Sequence, residues 1–313
     1  VHNMLQTASR LSDSRVPLLL SGETGTGKST TAQTIHRWST RAQAPFVFFP
    51  CGAVSRDLIY AELFGHRRGA FTGAIHDRVG KIEAAGTGTL LIDEVDLLTL
   101  DDQAKLLRVV ETGQYERIGT VETSMSQCRL IFASNVDLAA EVRAGRFRSD
   151  LYFRINVLEL HLVPLRNRLR DIPLIAIDCL HNLAAEHNSG SLNVTLKFLN
   201  GLAHHNWPGN IRELKNRLLR AVTLCEAGEI QSQHLGISQL ETVPITAPVK
   251  VIQTNSLTGY VAEASREAIV SCIRAHGNRK SAAAKALNIS RSTLYRKIKE
   301  YGIQEQECEM AGG

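Results

Sequence analysis

No stretch of this sequence approaches the roughly 18 consecutive apolar residues that a membrane-spanning helix needs, so hydropathy points to no helical span. The residues from Val1 are not expected to form a secretory signal either. Six cysteines (Cys51, Cys128, Cys179, Cys225, Cys272 and Cys308) are scattered without a single CxxC pair. That argues against a zinc site and against a disulfide framework, and it leads us to expect a reducing cytoplasm. Internal repeats are absent too. With Val1 first and Met4 shortly after, the chain is expected to be a piece of something longer.

What is present is a chain of 313 residues, 43% of them hydrophobic, enough to bury a large core in two or three domains. Its net charge of +5 is concentrated. From Tyr260 to Ile303 nine cations stand against three anions, a net +6, and Glu305, Glu307 and Glu309 follow as an acidic tail. Charge gathered in this way is the footprint of nucleic-acid binding, although a solvated helical face carries the same pattern.

The apolar run Val16-Pro17-Leu18-Leu19-Leu20-Ser21 feeds a glycine-rich loop, and a helical stretch runs from Lys28 to about Thr40. The loop, Gly22-Glu23-Thr24-Gly25-Thr26-Gly27-Lys28-Ser29, fits G-x-x-x-x-G-K-[ST]. In a strand–loop–helix setting its glycines let backbone N–H groups converge on phosphates, helped by the positive end of the following helix. Lys28 is expected to reach the β- and γ-phosphates of a nucleotide such as ATP, Ser29 to ligate Mg²⁺, and Thr30 to flank them. Further strands are read at Phe46–Phe49, at Leu90-Leu91-Ile92 ending in Asp93-Glu94, and at Arg129–Ala133. Helical periodicity lies between them, notably over Asp102–Glu111, which predicts an α/β fold with a parallel sheet. Asp93 is expected to hold the Mg²⁺ shell and Glu94 to polarise an attacking water as general base.

From Pro173 to about Glu226 the pattern turns helical, and Gly236–Gly259, with Pro244 and Pro248, reads as a linker. Ala268–Ala275, Lys280–Leu287 and Ser290–Glu300 divide into three helices. Leu287-Asn288-Ile289 supplies the tight turn between the last two, and Ser290 caps the third. Leu294 and Ile298, four apart, point inward, leaving Arg291, Ser292, Tyr295 and Arg296 on exposed faces. This is the layout of a helix-turn-helix recognition helix. Arg279, Lys280, Arg291, Ser292, Thr293, Tyr295 and Arg296 are the expected DNA contacts; a three-helix interaction module is the alternative.

One hexapeptide fits none of these roles. Gly69-Ala70-Phe71-Thr72-Gly73-Ala74 sets a Phe and a Thr between small residues, as if presented on a flexible tip. An aromatic there is binding surface held in reserve, unless the ring tucks against its own domain.

Taken with the surrounding Glu62-Leu63-Phe64-Gly65-His66, that hexapeptide and the phosphate loop resemble the bacterial enhancer-binding proteins, the AAA+ ATPases that activate sigma-54 RNA polymerase. The resemblance covers residues 1 to about 235 as an AAA+ module and 260–303 as a Fis-type DNA-binding domain. It implies an AAA+ α/β part over 1–172, a small helical part over 173–235, a linker over 236–259, helix-turn-helix over 260–303 and a tail over 304–313. It also implies ATP with Mg²⁺, double-stranded enhancer DNA, and sigma-54 holoenzyme engaged by Phe71 and Thr72. Asn135, after Ser134, is similar to the family's sensor I. Arg212, in Trp207-Pro208-Gly209-Asn210-Ile211-Arg212-Glu213-Leu214, is similar to its sensor II. Phe147–Arg154 resembles the arginine-finger segment, so Arg148 and Arg154 are expected to reach the γ-phosphate of a neighbouring subunit in a hexameric ring, surface ion pairs being the alternative. The sequence departs from the family in places. Pro50 stands where many relatives carry the Asn thought to restrain the catalytic Glu. Arg67-Arg68 replaces a usual acid, Asn167 replaces a customary Glu, and Ser134 replaces a commoner Thr. A DNA-binding regulator with little turnover, or a remodeller of other proteins, are the rival functions.

Overall fold

The computed structural model describes residues 11–14, 16–71, 73–187, 193–225 and 229–236, together with 266, 269, 270, 273, 280, 284, 294 and 298. The chain divides into two compact units. The first comprises residues up to Ala176 with Leu199–Arg220, and the second comprises Ile177–Phe198 with residues from Ala221 onward.

In the first unit, β1 (Leu18–Ser21) leads through the glycine-rich loop into α1 (Lys28–Trp38). Next come β2 (Phe46–Pro50), α2 (Arg56–Phe64), β3 (Gly65–His66), β4 (Arg78–Val79), α3 (Lys81–Ala85) and β5 (Thr89–Asp93). After them run α4 (Leu100–Thr112), β6 (Gln114–Glu116), β7 (Thr123–Met125), β8 (Arg129–Ser134), α5 (Leu138–Arg143), α6 (Ser149–Ile155) and β9 (Leu158–His161). Five strands form one sheet in the order β2-β5-β8-β1-β9, every neighbouring pair parallel. The mixed α/β fold expected from the sequence is therefore present, with β9 as an additional edge strand.

Alternation along the strands explains the layering. Leu18 and Leu20 join Leu91, Ile131 and Ala133 in packing with Ala32 and Ile35 of α1. Leu19, Leu90, Ile92 and Phe132 face the other way, into a cluster with Ile59, Leu63, Leu106, Leu151 and Ile155. Because all connections return to parallel strands, the carboxyl ends of β1, β5 and β8 lie along one edge. There Ser21 pairs in register with Ser134, and Asp93 with Pro50. Ligands of open α/β sheets bind at that edge.

Two antiparallel hairpins interrupt the alternation, β3 with β4 and β6 with β7. They are joined to each other by a bridge between His66 and Ile118, with Arg67 N donating to the Ile118 carbonyl at 2.9 Å. The hexapeptide 69–74 lies within the connection between β3 and β4.

Three further helices follow, α7 (Ile172–His187), α8 (Leu196–Leu202) and α9 (Asn210–Thr223). In the second unit β10 (Asn193–Val194) pairs in parallel with β11 (Glu229–Ile230). Near the C-terminus the described residues are helical at 269, 270 and 273, at Lys280 and Ala284, and at Leu294 and Ile298, with Ile273, Ala284 and Leu294 buried. Of the expected linker 236–259, only residue 236 is described. Among the described residues no helix is long and apolar enough to cross a membrane.

Candidate nucleotide site

The loop after β1 turns through three positive-φ glycines, Gly22 at 141°, Gly25 at 79° and Gly27 at 102°, a path that L side chains resist. At Gly25 the lack of a side chain also admits a neighbour, because a Cβ there would overlap the Gly209 carbonyl oxygen and sit 3.1 Å from Arg212 Cβ. Lys28 is buried at the start of α1, and its Nζ donates to the carbonyls of Gly22 at 2.7 Å and Glu23 at 3.2 Å. Burial pushes its pKa down, and Asp93 partly restores it. A cation enclosed by carbonyls at the rim of a glycine loop is poised to exchange them for phosphate oxygens.

Facing it, Ser29 Oγ lies 3.4 Å from Asp93 Oδ2. One hydroxyl and one carboxylate are the hard oxygen donors that Mg²⁺ accepts alongside water and phosphate, so these residues fit that ion. Glu94 follows in the left-handed backbone region at φ 56. Its carboxylate covers Gly52, where an added Cβ would overlap it. Ser134 is fully buried and donates to Asp96 Oδ1 at 2.9 Å, while Asn135 Nδ2 donates to Thr24 Oγ1 at 3.1 Å. Arg212 is exposed and close enough to depress the Lys28 ammonium.

Glu23 is held from outside the loop. Arg166 forks onto it through two bonds of 2.7 and 2.5 Å, and Asn210 Nδ2 adds a third at 3.2 Å. These bonds, Arg166's first, hold its carboxyl at a pKa of about 2. Arg168 Nη2 donates to the Thr26 carbonyl at 3.0 Å. Sequence reasoning assigned no role to Arg166, Arg168, Asn210, Asp96 or Gly52. Asn210 stood inside a segment already singled out, two residues before Arg212.

Three comparisons with known proteins identify the family. The sigma-54 interaction domain family matches residues 1–161, the AAA+ ATPase lid domain matches 166–250, and the Fis family of bacterial regulatory proteins matches 260–301. The chain belongs to the sigma-54-dependent transcriptional regulators. It is 37% identical to the response regulator protein PilR of Pseudomonas aeruginosa over 294 residues, 94% of this chain and 66% of that protein. It is 45% identical to the transcriptional regulatory protein XylR of Pseudomonas putida over 224 residues, 72% of this chain and 40% of that protein. The crystal structure of NtrX from Brucella abortus in complex with ATP superposes with a TM-score of 0.68 at 26% identity, covering 96% of this chain and 67% of that one. The chain thus spans two thirds or less of these relatives.

In this sigma-54 regulator the residues expected from the sequence fall into two groups. Gly22–Ser29, Asp93, Glu94, Asn135 and Arg212 gather at the carboxyl edge of the sheet, with Thr30 exposed on the first turn of α1. Arg148, at the N-cap position of α6, and Arg154, on that helix, have side chains 40% and 60% exposed and pair with Asp150 at 2.7 Å and Glu111 at 2.8 Å. Phe71 differs from the outward-pointing tip: it is half-buried, its ring edge-on to His66 at 4.9 Å. Gly69 N closes the loop by donating to the Ala74 carbonyl at 2.8 Å. Thr72 lies outside the described residues, as do Arg279, Arg291, Ser292, Thr293, Tyr295 and Arg296. Lys280 is helical and half-buried.

Proposed function

We propose that the chain is the working part of an ATP-hydrolysing, cytoplasmic transcription activator. Held on enhancer DNA by its C-terminal helices, it assembles as a hexameric ring and remodels the closed complex of sigma-54 RNA polymerase. The observation that carries this reading is the meeting of Lys28, the Ser29–Asp93 pair, the Asn135–Thr24 contact and Arg212 at one sheet edge. The same subdomain extends a hairpin tipped by Gly69–Ala74.

Lys28 exchanges its carbonyl partners for β- and γ-phosphate oxygens, and the loop N–H groups take the rest. Ser29 and Asp93 would hold Mg²⁺, which would supply positive charge against the triphosphate. Glu94 orients and deprotonates the attacking water. Asn135 and Arg212 register the γ-phosphate, and Arg148 with Arg154 leave their surface carboxylates to neutralise the transition state in the next protomer. Loss of phosphate then alters the hairpin that carries Phe71 and Thr72 to sigma-54. Substituting Thr72→Ala is expected to abolish open-complex formation while leaving most ATPase activity; equal loss of both counts against the tip's role.

One observation favours a second reading. Pro50 pairs in register with Asp93 and offers no side-chain hydrogen bond beside Glu94. In that reading nucleotide gates assembly with little turnover, and steady-state phosphate release at saturating ATP separates the two.

A further inference from the structure

We infer that Asn210 is the positioning residue of the phosphate-binding loop, fixing Glu23 and Thr24 through one side-chain amide and thereby setting where the loop and Arg212 stand relative to bound nucleotide. The inference rests on the nucleotide-binding part of the proposed function.

Asn210 is fully buried, and its backbone occupies the left-handed region at φ 52, which Asn tolerates better than other side-chain-bearing residues. Every hydrogen-bonding group of that side chain is used in two directions. Nδ2 donates to the Thr24 carbonyl at 3.0 Å and to Glu23 Oε2 at 3.2 Å. Oδ1 accepts from the Leu165 backbone N at 2.7 Å, next to Arg166, which forks onto the same Glu23 carboxylate. The neighbouring Ile211 N donates to the Gly25 carbonyl at 2.9 Å. Phosphate loop, Leu165–Arg166 and the first turn of α9 are thus stitched at one residue, and Arg212 is two positions further on.

The chemistry of the amide is what makes the position selective. Aspartate still accepts from Leu165 N, but it gives up the donor to Thr24 and sets a second carboxylate against Glu23. A buried donor–acceptor mismatch beside a like charge is unfavourable on both counts. Glu23→Gln removes that repulsion and returns a donor to the pair. The two substitutions therefore couple if the contact positions the loop, and add if it does not.

The experiment measures equilibrium binding of a fluorescent ADP derivative to the full chain. Asn210→Asp is expected to weaken binding about tenfold or more, and the Asn210→Asp, Glu23→Gln double variant to regain most of that loss. In ATPase assays the single variant raises KM more than it lowers kcat. Wild-type ADP affinity in Asn210→Asp, or purely additive losses in the double variant, overturns the inference. Should Asn210→Asp not fold, Asn210→Gly tolerates the left-handed backbone and removes only the amide. Weakening of about tenfold then supports the inference, and unchanged affinity overturns it. Coupled losses in a protein that binds ADP yet never hydrolyses ATP support the inference while sinking the ATPase reading.

Discussion

Glu94 occupies a backbone region that costs a non-glycine residue about 1–3 kcal/mol, directly after the strand residue Asp93. Its carboxylate then lies over Gly52, whose missing Cβ leaves room for it in this position. Replacing it by an isosteric amide keeps the size and the packing while removing the base. Glu94→Gln is therefore expected to lower kcat by about 10²–10⁴ and to leave ADP affinity within about threefold. Steady-state turnover and equilibrium binding read the two separately, and a kcat within about tenfold of wild type removes Glu94 from the role. The phosphate loop, Asp93 and Glu94 were legible in the sequence because their geometry is local: a strand, a fixed spacing, a helix. Asn210 and Glu23 meet across 187 positions, and nothing in the spacing of either announces the other. Arg166 was hidden in the same way, since a forked ion pair leaves no periodicity.

At the scale of elements, α4 is the platform beneath the two surface arginines. Thr99 caps it, accepting from Asp102 N at 3.1 Å, and Gly113 ends it in the left-handed region at φ 74. From its buried face Gln103 donates to the carbonyls of Leu98 at 2.9 Å and Arg146 at 3.2 Å, and accepts from Arg148 N at 2.8 Å. Glu111, on its last turn, pairs with Arg154. Gln103→Leu leaves three backbone groups without this partner, so it is expected to lower unfolding stability by about 2 kcal/mol or more. Thr99→Ala, which loses the cap and the hydroxyl's bond to Asp102 Oδ2 at 2.7 Å but strands no backbone carbonyl, is expected to cost about 1 kcal/mol. Urea unfolding ranks them, and a smaller loss for Gln103→Leu would show that the buried amide does not hold the Arg148 segment. Four strands of the sheet could be read from apolar runs bounded by turns. The fifth, β9, escaped because Leu158-Glu159-Leu160-His161 alternates at a sheet edge rather than forming a run. The inserted hairpins escaped because strands of two or three residues are shorter than any window in which a period shows.

At the scale of the molecule, the residues expected at the phosphates gather within one chain, whereas Arg148, just before α6, and Arg154, on it, are exposed at the surface. Exposed ion pairs such as Arg154–Glu111 contribute about 0–1 kcal/mol, so exchanging one for a triphosphate in a neighbouring protomer meets little resistance. The proposed head-to-tail ring is testable, because in it each site would draw its loop from one chain and its arginine from the next. Lys28→Ala alone and Arg154→Ala alone are expected to hydrolyse almost no ATP. Mixed in equal amounts, an intact loop from the arginine variant meets an intact arginine from the lysine variant at about a quarter of randomly formed interfaces. The mixture is therefore expected to recover about a quarter of wild-type turnover, rising with protein concentration as rings form. Co-purification of differently tagged variants establishes that mixed assemblies exist. If they do and turnover stays at the level of the separate variants, Arg154 does not act across an interface.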